Sequence, residues 1–95
     1  MNRSINGKDY SFKMTRKGLR AAETAGMDMA QLATKPMLAL SYLWFAELYA
    51  AHPMKFDKAC DLLDDFLDNN PSEDFSSLLE EFTNDYTSVF GLAAE

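Results

Sequence analysis

Pro36-Met37-Leu38-Ala39-Leu40-Ser41-Tyr42-Leu43-Trp44-Phe45-Ala46-Glu47-Leu48-Tyr49-Ala50-Ala51-His52-Pro53 is the stretch that decides the fold of this 95-residue chain. From Met37 to Ala51 only Ser41 and Glu47 interrupt the apolar residues. A surface helix would gather its apolar residues on one face. Here they occupy nearly the whole circumference, which describes a helix surrounded by protein. Pro36 suits the first helical turn, where a missing amide proton costs nothing, and Pro53 disfavours helical geometry at His52. The spacing predicts a central helix over 36–51. At about 15 residues, with a carboxylate inside it, the run is shorter than the ~20 needed to span a bilayer. The expectation is a buried helix of a soluble protein, with no membrane association.

The elements on either side supply what such a helix must be buried against. Towards the N-terminus, Asn6-Gly7 offers the two positive-φ positions of a type I′ turn, a strong hairpin signal. Tyr10, Phe12 and Met14 then alternate with Ser11 and Lys13, giving one apolar and one wet face over a hairpin at about 2–14. A lone hairpin is marginal in water, so that apolar face must rest on helices or pair with further strands. Thr15 is a suitable cap for a helix over 16–25, with Gly26 placed to end it. Asp28 and Gln31 have capping-box spacing before a short helix over 29–33. Towards the C-terminus, Phe56, Ala59, Cys60, Leu63, Phe66 and Leu67 form a helical stripe within 56–69. Asn69-Asn70-Pro71 breaks the chain, and a last helix is predicted over 73–90, with Phe75, Leu78, Leu79, Phe82, Tyr86, Val89 and Phe90 on one face and Gly91 as its stop. The fold class is therefore mainly α: one domain spanning 1–95, an N-terminal β-hairpin followed by a small bundle of about five helices.

Composition excludes several function classes. Apolar types make up 47% of the chain and aromatics 13%, too much for intrinsic disorder. The length excludes an enzyme with separate cofactor and substrate domains. One cysteine, Cys60, provides no internal disulfide, which fits a reducing, cytoplasmic setting. Met1 to Met14 is too polar for a signal peptide. The net charge is −6, poor for nucleic-acid binding, but it is unevenly placed. Residues 1–35 carry seven Lys/Arg against three acids (+4), and residues 36–95 carry two against twelve (−10).

Candidate chemistry follows from those charges. Asp61, Asp64, Asp65 and Asp68 lie at i, i+3, i+4 and i+7, so one helix face carries four carboxylates. Such a face suits Mg²⁺ and a diphosphate, but that chemistry needs a second metal-binding motif and a large cavity. The plainer reading is a solvated polar face, and no metal or other cofactor is expected. An EF-hand loop starting at Asp68 fails, because Glu73 stands at the glycine position and Leu79 at the closing glutamate. His52, beside Pro53, is read as structural, serving the last carbonyls of its helix. Cys60 lies in an apolar stripe among Asp57, Asp61 and Asp64, which is no setting for a thiolate nucleophile. No catalytic residues are identified. Arg16, Lys17 and Arg20, with Arg3, Lys8 and Lys13, form a basic region. It is either a solvated face, a contact for a protein partner such as the acidic side of a second copy, or a nucleic-acid footprint without a reading motif. Met14, Met27, Met29 and Met54, near element ends, suit an adaptable surface.

Ile5-Asn6-Gly7-Lys8-Asp9-Tyr10-Ser11-Phe12 resembles the I-x-G-K-x-Y-x-F hairpin of the small tail assembly chaperones of long-tailed, lambda-like phages and prophages. Leu19, Glu23, Gly26 and Leu32, the apolar helix ending in His52-Pro53, Leu62-Leu63-Asp64-Asp65 and Leu78-Leu79-Glu80 follow in that family's order over nearly the whole chain. The resemblance implies a non-enzymatic protein of the bacterial host cytoplasm. It implies two partners, the tape-measure protein, whose apolar helices it keeps soluble, and the tail-tube protein, which it helps recruit. On that reading Phe75, Leu78, Leu79, Phe82 and Tyr86 pack the core when free and contribute to partner binding when loaded. Arg16, Lys17, Arg20, Asp61, Asp64, Asp65 and Asp68 are the charged contact surface, with self-association open. The alternatives are a small acidic regulator of a host protein, its aspartate face mimicking nucleic acid, and a small metal-dependent enzyme.

Overall fold

The computed structural model describes residues 2–28 and 30–90. Their order is β1 (Asn2–Ile5), β2 (Lys8–Ser11), α1 (Arg16–Ala25), α2 (Gln31–Thr34), α3 (Pro36–Tyr49), α4 (Phe56–Asn69) and α5 (Phe75–Phe90). The mainly α architecture with an N-terminal hairpin is thus the observed one. β1 and β2 pair antiparallel, with Ile5 opposite Lys8 and Asn2 opposite Ser11. Asn6 and Gly7 both have positive φ, 54° and 79°, as a type I′ turn requires. The paired ladder is shorter than the predicted hairpin. Beyond Ser11 the chain leaves β1 and turns to α3, where the Lys13 amide donates to the Glu47 carbonyl at 3.0 Å. The alternation persists through that change of partner: Tyr10, Phe12 and Met14 are buried, while Ser11 and Lys13 are exposed.

α3 is the axis of the molecule. Every residue from Ala39 to Leu48 is buried, and α1, α2, α4, α5 and β2 all pack on it. An all-round apolar helix of this kind is covered only if several elements surround it, which explains the bundle. At its centre Trp44 meets Phe12 (4.7 Å between ring centroids), Phe66 (5.4 Å) and Phe82 (6.1 Å). These rings come from the hairpin segment, α4 and α5, so one tryptophan ties four parts of the chain together. A second aromatic group, Tyr42, Phe45, Tyr49 and Phe56, joins α3 to the start of α4.

Local capping sets the helix ends. Thr15 Oγ1 accepts from the Gly18 amide at 2.9 Å. Gly26, at φ 124°, ends α1 with its amide on the Ala22 and Glu23 carbonyls and the Met27 amide on Ala22, the paired bonds of a Schellman motif. Asp28 and Gln31 do bond to each other's segment, but they do not cap α2, whose N-cap is Ala30 with no side-chain bond: Asp28 Oδ1 accepts from the Ala30 amide and Gln31 Oε1 from the Asp28 amide. These bonds close a turn before the helix, so α2 starts at Gln31; Met29, in the predicted start, lies outside the described residues. The last helix also starts later than predicted, at Phe75. Asp74 caps it, accepting from the Ser76 amide and the Ser77 hydroxyl. α3 stops at Tyr49, and the His52 amide closes its final turn on the Leu48 carbonyl at 2.8 Å. The predicted stop at Gly91 lies outside the described residues.

Gly18 is required by packing rather than by a turn. It lies where α1 crosses α3, and a Cβ there would run into the backbone carbonyl of Ala46. Alanine is ordinarily the better helix former by about 1 kcal/mol. At this crossing the overpacking cost, about 1–3 kcal/mol, opposes it. Gly18→Ala is therefore expected to lower stability in urea melts, with the midpoint moving down; an upward shift would show that the helices separate freely.

Candidate functional site

The predicted partner-binding stripe of α5 faces inwards. Leu78 and Phe82 are fully buried, and Phe75, Leu79 and Tyr86 are half-buried against the same core. Phe82 packs on Phe12 and Trp44. Burial, with a smaller contribution from the Glu23 carboxylate of α1, pushes the Tyr86 phenol up.

The predicted charged surface divides into two regions. Arg16, Lys17 and Arg20 are exposed on α1, and Asp61, Asp64 and Asp68 are exposed on α4. Asp65 is different: it is half-buried and accepts a hydrogen bond from the Asn6 side chain at 2.9 Å, fastening the hairpin turn to α4. Leu62, outside the predicted stripe, is buried on that side as well, because β1 packs against α4. Among the described residues no three His, Cys, Asp or Glu side chains come together as a metal site.

The two candidate chemical residues have structural partners. His52 Nε2 accepts from the Ser11 amide at 3.1 Å, and its ring leans on Tyr10. Its side chain thus serves β2, not the helix carbonyls expected from its position. Burial raises the Cys60 thiol above its ordinary value, while a hydrogen bond with Ser41 works the other way. Among the described residues, the methionines expected to form an adaptable surface are packed instead. Met14 and Met27 are buried and Met54 is packed on the core; Met29 lies outside the described residues.

Among the described residues, two surface depressions border α3. The first is a trough of about 430 Å³ between α1 and α3, lined by Lys17, Arg20, Ala21, Thr24, Ala25, Phe45 and Tyr49. Lys17, Ala21 and Ala25 form one i, i+4 row of α1, and Phe45 and Tyr49 form the facing row of α3. The alanines leave the space, and the aromatic wall is held by Phe45 against Phe56 at 5.7 Å. Lys17 and Arg20 stand at the rim, and neither has an ion-pair partner among the described residues, whose ion pair, Arg3 with Glu81, joins β1 to α5 away from the trough.

The second depression, about 380 Å³, is bordered by Phe12, Lys13, Met14, Glu47, Glu81, Asp85, Ser88 and Val89. Glu47 is 2% exposed, and its Oε2 accepts no hydrogen bond. Burial, then the hydrogen bond with Asp85 of α5 and the charge of that residue, pushes the Glu47 carboxyl up to about 9. A hydrogen bond between two acids requires a proton on one of them, so near neutral pH Glu47 is the protonated partner. Arg3 opposes that shift. Its guanidinium pairs with Glu81 at 2.8 Å and lies over the rings of Phe12 and Phe82. β1, α3 and α5 are thus joined by one charged and protonated network.

With this geometry, the chain is a small helical domain with one basic-rimmed apolar trough and one buried acidic network. Residues 1–93 match the family described as Domain of unknown function (DUF5055), and the chain belongs to that family. No curated protein and no solved structure matches it at a significant level.

Proposed function

We propose that this chain is a non-catalytic protein-binding module of the tail assembly chaperone type. It holds apolar helices of a tape-measure protein in solution in the bacterial host cytoplasm and helps to recruit tail-tube subunits. The observation that supports this reading best is the α1–α3 trough, an apolar cleft between two helices with a fixed aromatic wall. Helix-in-groove recognition uses such a cleft to cover the apolar face of an amphipathic partner. The exposed carboxylates of α4 keep a loaded complex soluble by self-repulsion. Phe75, Leu79 and Tyr86 are the part of the α5 stripe within reach of a client in the folded state, since Leu78 and Phe82 are committed to the core.

Co-expression with the cognate tape-measure protein tests the proposal. The client is expected to move from the pellet to the supernatant and to co-purify with this chain. A client that stays insoluble at equal expression overturns it. The reading as an acidic regulator rests on the exposed row Asp57, Asp61, Asp64 and Asp68, and it requires salt-sensitive binding to a basic protein instead.

A further inference from the structure

We infer that the α1–α3 trough seats an amphipathic partner helix with acidic flanks: its apolar ridge enters between Ala21, Ala25, Phe45 and Tyr49, and its Asp or Glu side chains meet Lys17 and Arg20. This deepens the proposed function and rests on it for the origin of the partner, while the chemistry of the trough stands independently.

The charge at the rim carries the inference. The chain is acidic overall, at −6, yet the trough is bordered by two exposed cations without ion-pair partners among the described residues. Glu23, the acid of α1, acts on Tyr86 of α5 and does not line the trough. Apolar floor and cationic rim together select a ligand that is apolar on one side and anionic at its edges. The facing i, i+4 rows give the depression the form that accepts anchors at i, i+3, i+4 and i+7 of a helix.

Other occupants fit less well. A second copy offers the aspartates of α4, where the exposed residues are Asp57, Lys58, Asp61, Asp64, Asp68 and Asn69, charge without an apolar ridge, and the acidic helix α5, whose described apolar side chains are buried or already packed against its own core. A nucleic acid would need successive aromatic faces on which to stack, and of the two rings here Phe45 is only 4% exposed, which leaves Tyr49 alone.

Two fluorescein-labelled model helices test the inference, with the same leucine stripe but glutamate flanks in one and lysine flanks in the other. By fluorescence anisotropy the glutamate helix is expected to bind at least ~10-fold more tightly, a difference of about 1.4 kcal/mol. Lys17→Glu with Arg20→Glu should reverse that preference, and Ala25→Leu, which fills the trough, should weaken binding by a similar factor. All three positions are exposed, and thermal melts verify that the variants are folded. Equal binding of the two helices, or indifference to the variants, overturns the inference. So does phosphatidylglycerol vesicle binding as strong as that of the glutamate helix, or a dimer of the free protein that both variants abolish. In the co-expression experiment, a client kept soluble by the double variant as well as by the parent chain contradicts the trough but leaves the chaperone reading intact. A glutamate helix that binds while no client is solubilised contradicts the chaperone reading and leaves the trough intact.

Discussion

Replacing Glu47 by glutamine should make the protein more stable at neutral and alkaline pH and remove much of the pH dependence of its unfolding. The folded state holds the Glu47 proton up to about pH 9, against an ordinary value of 4.5, chiefly because the carboxyl is buried and secondarily because it faces Asp85. Between those values the folded chain binds one proton more than the unfolded chain, so stability falls as pH rises. The favourable contribution is fully present below about 4.5 and is lost progressively as pH rises through about 9. One proton corresponds to a slope of up to about 1.4 kcal/mol per pH unit. Glutamine has nearly the same shape, and its amide donates to Asp85 at any pH. Parallel urea melts near pH ~5 and pH ~8.5 check this. Parent and variant should nearly coincide at the lower pH and diverge at the higher one, with the variant ahead. A difference independent of pH would mean that Glu47 is ionised in the folded protein.

Phe82→Ala should cause the largest loss among single truncations in α5, about 3–5 kcal/mol. Phe82 is fully buried and closes the ring cluster with Phe12 and Trp44. Its removal leaves a cavity beneath the Arg3 guanidinium, which also loses a ring face. Leu79→Ala and Tyr86→Ala remove half-buried side chains and should cost less. Chemical denaturation of the three variants gives the order directly. A loss at Phe82 no greater than at Leu79 would show that α5 is loosely held. Because of its position, Phe82 reports on folding; client contact is better examined at half-buried Phe75, Leu79 and Tyr86.

The parts of the fold legible in the sequence are those governed by local chemistry. Asn6-Gly7 and Thr15 with Gly26 each act through residues a few positions apart, and each does in the structure what its pattern suggests; Asp28 with Gln31 closes the turn before α2 instead of capping the helix. The central helix was legible for a related reason, since its composition alone demands cover on every side. Asp74 was a missed local signal: an aspartate immediately before the apolar periodicity of α5 is a helix cap, and it moves the start of that helix to Phe75.

The candidate site was only partly legible, because it arises where helices cross. Gly18 looks like a weak point in α1 until α3 is laid against it. Ala21 and Ala25 become the floor of a trough only beside Phe45 and Tyr49. Glu47 reads as an interruption of an apolar run until Asp85 and Arg3 are brought to it from α5 and β1. The α5 stripe was visible as apolar, but periodicity alone does not distinguish a face packed on its own core from one offered to a partner. The structure places Leu78 and Phe82 inside and leaves an apolar trough between α1 and α3.

On the proposed function, the α1–α3 trough is the surface that takes up a helical client. Amide hydrogen exchange on the chain purified with its co-expressed tape-measure client, compared with the chain alone, tests it most directly. New protection is expected in the α1 segment containing Lys17 to Ala25 and in the α3 segment containing Phe45 to Tyr49, with the acidic face of α4 unchanged. Protection confined to Asp57–Asp68, with the trough exchanging as in the free protein, would contradict it.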